Sequence, residues 1–590
     1  MQLHNTGEAE QTCFGSADLA SLTHWLEQQH RTNAEEYFRA LNLACEDIKK
    51  CQQVKISTAL TLLDELRSAI QRHVTLLSRQ YLHQSVDLPL KARRAADDAA
   101  MLWQTLGDAY FSYAERDRGM QGDTEDGVPI KPVKDAIACL HRSLLCQQQI
   151  LLQNIVLYRI DSPGQWSDFH QRFDLARLRG INEHRINDPS NHERPISCMT
   201  DLYAALCVLR ISNCNQLNQL EIINLWQFLQ KFAVLIELHE DRNQTLYGID
   251  FHSDLPPLRR QQLQQAKHVL GLDYQALLAE IDKLETGGAS EVTINKRLRT
   301  HVQRALSGEI VRGMPRHKSH GHVDIAFGLA DAWYTFAHGR TLDDMTRNLN
   351  RQAALFEDED NPFMKAKRET FLRDAWNQEG QATLNEHAEV ASMAILEEIR
   401  LSSLSNKEKV DTTAKLQRAD VVEHSATGFC LSVNLPLSKP IKNGDLLAIR
   451  EQEDDIYVVG TIRWVRSDQE AVTFGVEIIS PMAICFGARH IPPKGDINRE
   501  IFTFALLLPE IPRAGQAARL LLPSVPFHES SKVQLLRDEI EILLRLDSSL
   551  QSTFSHSLFE FSCIEDPMGR IPEIGRRVDS NDERVKALLV

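Results

Sequence analysis

Three short stretches of this sequence hold residue types that could bind or react. The first is VVEHSATGFCLSV, Val421 to Val433. It runs an apolar pair into a small polar turn, Glu423-His424-Ser425-Ala426-Thr427-Gly428, and leaves it as a period-two strand. The pattern is a hairpin, and the question is whether its turn also holds a ligand. The second is Arg312-Gly313-Met314-Pro315-Arg316, where glycine and proline argue against a helix and leave a curved, extended segment. A guanidinium forks two parallel donors that can clamp a phosphate or read the O6/N7 edge of a guanine. Two of them on a bent loop suit a ligand with both groups; an isolated RxxxR equally fits two surface arginines ahead of a strand. The third is His317, His320 and His322, a spacing that could bind a metal but more ordinarily marks a solvated lead into a strand. The chain has no HExxH, paired CxxC, GxxxxGK[ST], GxSxG or strand-borne GxGxxG. No nucleophile–base pair stands out. The expectation is a binding protein rather than an enzyme, with no metal and no cofactor.

The elements that must position these residues differ between the two halves of the chain. The 590 residues are enough for roughly three or four domains of ~150 residues. A net charge of -15 argues against a surface that coats DNA or RNA or an anionic membrane, yet leaves room for a local basic pocket. The eleven cysteines are scattered without zinc spacing and read as reduced thiols. With a polar start and no apolar run of ~18 residues, a cytoplasmic protein without a membrane span is expected. From Ala17 to about Arg304 the period is helical: Ala59, Leu63, Leu66, Ile70, Val74, Leu77 and Tyr81 line one face. The apolar stretch from Ile223 to Leu235 reads as a central helix. This predicts an all-α bundle or stack over residues 1–305. His322–Gly328 then alternates as a strand. A polar, partly helical stretch (341–409) follows, with Val390, Met393, Leu396 and Ile399 on one face. Strands are predicted at Ala419–Val422, Gly428–Val433, Asp445–Arg450, Ile456–Val465 and Val472–Ile479. A last region, 496–590, has short alternating runs between prolines, glycines and serines, and reads as a second small β-domain packed on the first.

Glu423–Gly428, then GTIRWVR from Gly460 and FGVE from Phe474, resemble the core of a PilZ domain. That family is a small six-stranded β-barrel that receives the bacterial second messenger cyclic di-GMP through an RxxxR loop and a [D/N]xSxxG strand turn. The resemblance spans about Arg312–Leu329 and Ala419–Ile479. The helices ahead of it look like those of long proteobacterial PilZ-domain proteins. It implies a multidomain α + β chain whose barrel is split into 306–340 and 410–495 by a helical insertion. A long insertion on a surface loop is cheap in closure entropy, ~0.6 kcal/mol per doubling. Arg312 and Arg316 would take the RxxxR role on guanine edges and phosphates. Ser425 would give its hydroxyl to a phosphate, and Gly428 would let the backbone approach. Glu423 stands where the family has Asp or Asn, keeping the acceptor but adding a methylene. The resemblance implies a receptor that relays ligand binding to an unidentified protein partner through its helical half, with a homodimer as one arrangement. The competing reading is a degenerate barrel that binds no nucleotide and serves as an interaction scaffold in pilus, flagellar or envelope assembly. On a strand beside Ile462, Trp464 is expected in the core.

Overall fold

The computed structural model describes residues 11–126, 128–189, 195–240, 245–266, 268–283, 294–308, 317–346, 414–425, 427–451, 457–468, 470–492, 502–511, 515–538, 540–553 and 555–565. They form two compact units. Among them no helix is long and apolar enough to cross a membrane.

The first unit is mainly helical: α1 (Leu19–Gln28), α2 (Ala34–Lys50), α3 (Ile56–Tyr81), α4 (Leu90–Glu115), α5 (Lys134–Val156), α6 (Gln165–Leu178), α7 (Met199–Ile211), α8 (Gln219–Phe232), α9 (Gln275–Lys283) and α10 (Lys296–Leu306). The apolar stripe read on α3 is its buried face. Starts are chemically marked. Asn218 and Glu221 form a capping box on α8, and Asn33 and Asn295 cap α2 and α10, each meeting amide donors that the helix itself leaves unpaired. The central element is α7, buried along nearly its whole length, rather than α8, which keeps Leu220 and Gln227 in solvent. The unit is also not all-α. Short strands β1 (Glu237–His239), β2 (Tyr247–Asp250), β3 (Leu258–Arg259) and β4 (Val269–Asp273) form a sheet in the order β1-β4-β2-β3. Runs of two to five residues carry too little periodicity to separate strand from helix. Phe251, just past β2, ties the sheet to the helices by stacking near Phe173 and Tyr203, whose own rings lie 4.0 Å apart.

The second unit is two closed barrels. The first comprises β5 (His317–Phe327), β6 (Leu416–Ser425), β7 (Gly428–Asn434), β8 (Leu446–Glu451), β9 (Tyr457–Ser467) and β10 (Ala471–Ser480), in the order β5-β6-β7-β10-β9-β8. Val323, Ile325, Leu431, Val433, Ile449 and Phe474 fill its interior, each 1% exposed or less. The second comprises β11 (Ile484–Ile491), β12 (Thr503–Leu508), β13 (Arg519–Pro523), β14 (Lys532–Arg537), β15 (Ile540–Ser552) and β16 (His556–Glu565), in the order β11-β12-β13-β16-β15-β14. The two barrels therefore share one strand order. Ile484–Ile491, counted with the first barrel in the split 306–340 and 410–495, opens the second instead. Its alternate residues Ile484, Phe486 and Ala488 belong to that barrel's core. The stretch 341–409, including the apolar face from Val390 to Ile399, lies outside the described residues from 347 onward.

Between the barrels lies α11 (Gly328–Phe336). Ala326, Leu446, Ala448 and Val459 on the outside of the first barrel meet Cys485, Phe504, Leu506 and Leu558 of the second around Trp333. Trp333 is fully buried, and its indole N–H donates to the Phe486 carbonyl at 3.0 Å. This explains the unbroken apolar runs TFALLL and RLLLP: β12 and β13 bury one face inside their own barrel and residues of the other against this layer. Lys439–Asp331 and Arg340–Asp538 ion pairs rim it.

Candidate functional site

The turn at Glu423–Gly428 joins β6 to β7. Its residues reach the outer face of the first barrel because β6 carries a bulge: Val421 pairs with Leu431, but Glu423 pairs with Cys430, so Val422 is the extra residue. Directly opposed residues share a face. Lys318, Glu423, Cys430 and Gly475 thus form one row across β5, β6, β7 and β10. Ser425, Gly428 and Glu477 form the next, at the turn end. Glu423, Ser425 and Gly428 are half-buried; Lys318, His424 and Glu477 are exposed.

Each small residue here is set by a close approach. A Cβ on Gly428 would lie 2.2 Å from the Val476 carbonyl oxygen, so only glycine lets β7 run this near β10. The Ile478 amide donates to Thr427 O at 2.9 Å and stitches the turn to the end of β10. The Ser425 hydroxyl donates to Gly428 O at 3.3 Å, a long bond within the turn. A Cβ on Gly475 would lie 1.9 Å from the Trp464 indole nitrogen. Trp464, expected in the core, is instead half-buried and covers Gly475 on the outer face.

Two residues that sequence reading left without a role stand in the same patch. Arg463 on β9 pairs through Nε with Glu477, which lies opposite Gly428. Both occur in the quoted strands, but their adjacency depends on barrel register, which neither strand encodes alone. The described part of the face is balanced, Glu423 and Glu477 against Lys318 and Arg463. Its amides, hydroxyl and carboxylates suit N–H-bearing and phosphate-bearing groups, but a dianionic ligand needs cations beyond Lys318 and Arg463, which the two carboxylates already offset. Arg312 and Arg316 lie outside the described residues. The chain enters β5 at His317, which pairs with His424 at the turn end of the sheet. Of the three histidines, His322 pairs through Nδ1 with Asp420 at 2.6 Å, and the His317 ring lies 6.1 Å from that of His424. The side chain of His320 is not described. Among the described residues, no three His, Cys, Asp or Glu side chains gather as metal ligands.

With this geometry in hand, comparison with known proteins is specific. Three family models match consecutive parts of the chain: the cyclic-di-GMP receptor FimW N-terminal domain over residues 20–243, its middle PilZ domain over 246–484, and the FimW C-terminal beta-barrel domain over 487–564. The last boundary falls inside β11, close to where the structure begins the second barrel. The cyclic-di-GMP receptor FimW of Pseudomonas aeruginosa is 23% identical over 583 residues, an alignment covering 94% of this chain and 91% of that protein.

Proposed function

We propose that this chain, which belongs to the PilZ-domain family in its long form with a helical region ahead of the barrel, is a non-enzymatic receptor for cyclic di-GMP. The observation that carries the reading is the outer-face patch at the β6–β7 turn. There Ser425, Gly428 and Glu423 are brought together by register, and glycine alone fits against Val476 O. A relative similar over 94% of this chain and 91% of its own length is named for the same ligand.

In this reading Arg312 and Arg316 supply the two cations that the described face lacks. They clamp the phosphates and the guanine edges from the segment that leads into β5. The Ser425 hydroxyl turns from Gly428 O to a phosphate oxygen. Glu423 accepts from guanine N–H groups, and its additional methylene is accommodated by the bulge at Val422. No cofactor takes part. Ligand binding is relayed to a protein partner through the helical region.

Isothermal titration of the full chain with cyclic di-GMP tests this. Saturable binding is expected, lost in Arg312→Ala and in Arg316→Ala, because each substitution strips a bidentate partner from a desolvated polar group. Absence of heat and of competition at generous ligand excess would overturn it and leave the scaffold reading, for which Glu423 is the specific ground.

A further inference from the structure

At the rim of the barrel face, Arg463 of β9 binds Glu477 of β10 through Nε. Both side chains stay accessible, 50% and 47% exposed. Among the described residues this is the one hydrogen bond that either side chain makes. The two terminal nitrogens of the guanidinium and Oε1 of the carboxylate are therefore left to an incoming molecule. An exposed pair of this kind contributes little to stability, so the fold does not need it.

Strand register puts the pair at the ligand face. Ser425 opposes Gly428 across β6 and β7, and Gly428 opposes Glu477 across β7 and β10. Neighbouring strands lie about 4.8 Å apart, so Ser425 and Glu477 stand about 10 Å from each other on one face. Gly428 between them has no side chain, which leaves that stretch of surface open. A nucleotide that gives its phosphate to Ser425 and lies along this row brings its base to the pair. Because the pair is neutral, it adds no net attraction for phosphate. What it offers is a donor beside an acceptor.

Resting on the receptor reading above, we infer that the Arg463–Glu477 pair reads the second guanine of cyclic di-GMP and so helps to set the base specificity of the site. The ligand carries two guanines, and Glu423 accepts from one. On the other, a terminal N–H of Arg463 donates to O6, and Glu477 Oε1 accepts from N1–H, the neighbouring atom of the same edge. Adenine presents the opposite order there, an N6–H donor beside an N1 acceptor, so both contacts fail. A site built to hydrogen-bond one edge rejects the analogue that leaves its polar groups unpaired.

The full chain is titrated with cyclic di-GMP, and cyclic di-AMP is measured by competition against it. Glu477→Ala removes a negative charge from beside a dianionic ligand. Simple electrostatics would tighten both ligands, whereas base reading weakens cyclic di-GMP by about ten-fold and leaves cyclic di-AMP within about three-fold. Arg463→Ala gives the same narrowing of the gap between the two ligands. The double variant loses no more than about three-fold beyond either single one, because the two residues act as a unit. Asp324→Ala breaks a comparable pair with Arg450, seven residues along β5 from His317 at the turn end, and leaves both ligands as in the parent. All four variants melt like the parent to within a few degrees. The inference is overturned if Glu477→Ala tightens cyclic di-GMP or leaves it within about three-fold, or if both ligands weaken by one common factor. In those cases a parent chain that still binds, and loses binding in Arg312→Ala, keeps the receptor reading intact. A parent chain that binds no cyclic di-GMP overturns the receptor reading itself, and this inference with it.

Discussion

Gly428→Ala is the sharpest perturbation of the proposed barrel site. A methyl group there would start 2.2 Å from the Val476 carbonyl oxygen, where ordinary van der Waals contact begins at 3.4 Å. The obstacle is backbone, so no side-chain rotation relieves it, and β7 and β10 must part by about 1 Å. Strain of this kind costs ~1–3 kcal/mol, and the neighbouring Ile478 N–H to Thr427 O bond at 2.9 Å adds ~1 kcal/mol when it is stretched away. A barrel weakened by ~2–4 kcal/mol is expected. A site displaced by ~1 Å is expected to lose about 100-fold in affinity. Hydrogen exchange read on the β7 and β10 amides, together with titration of cyclic di-GMP, measures both. Gly321→Ala is the matched control in the same barrel, since a Cβ there meets nothing within 4 Å. If Gly428→Ala keeps parent-like amide protection, the steric reasoning is wrong. If protection falls while affinity stays within about three-fold, the ligand does not sit at this turn.

Trp333→Ala empties the layer between the barrels and orphans the Phe486 carbonyl; a loss of ~3–5 kcal/mol is expected, seen as earlier thermal unfolding and faster proteolysis around α11. Asp188→Asn leaves the Arg67 guanidinium buried against a neutral partner, and the helical unit should lose ~3–5 kcal/mol by far-UV melting. Burial of His556 lowers its pKa from the usual value near 6.5 to about 4, so the unfolded chain takes up a proton that the folded chain refuses. Stability from this group is full above pH ~6.5 and is lost as pH falls toward 4, by ~3 kcal/mol; denaturation of the His556→Gln chain across that range should lack this component of the slope.

How much could be read in advance varied with how local the signal was. The α3 stripe from Ala59 to Tyr81 and the five strand runs after 415 were legible because side-chain period reports directly on one buried face. α5 reads differently. His141, Arg142, Ser143, Gln147 and Gln148 look like a solvated face, yet all are buried. Arg142 meets Asp64 at 2.9 Å, His141 meets Ser197 at 2.9 Å, and Gln148 donates to Leu202 O, partners from 54 to 78 positions away. A polar residue goes inside only when such partners exist, and no local window holds them. The small β1–β4 sheet was missed for the opposite reason, its strands being too short to show a period.

The sequence by itself determined the long elements, the change from helical to strand period near residue 308, and the turn where Glu423, Ser425 and Gly428 cluster. These depend on neighbours along the chain. Tertiary structure alone decided the rest. A single bulge at Val422 turns Glu423 to the outer face beside Cys430 and Gly475, because with a period of two one added residue reverses every side chain beyond it. Closure of the barrel sets Glu477 opposite Gly428 and gives it Arg463 as a partner. It also lays Trp464 over Gly475 rather than in the core. Register and closure are pairings between distant segments, so which residues share one patch of surface was settled only when the strands met.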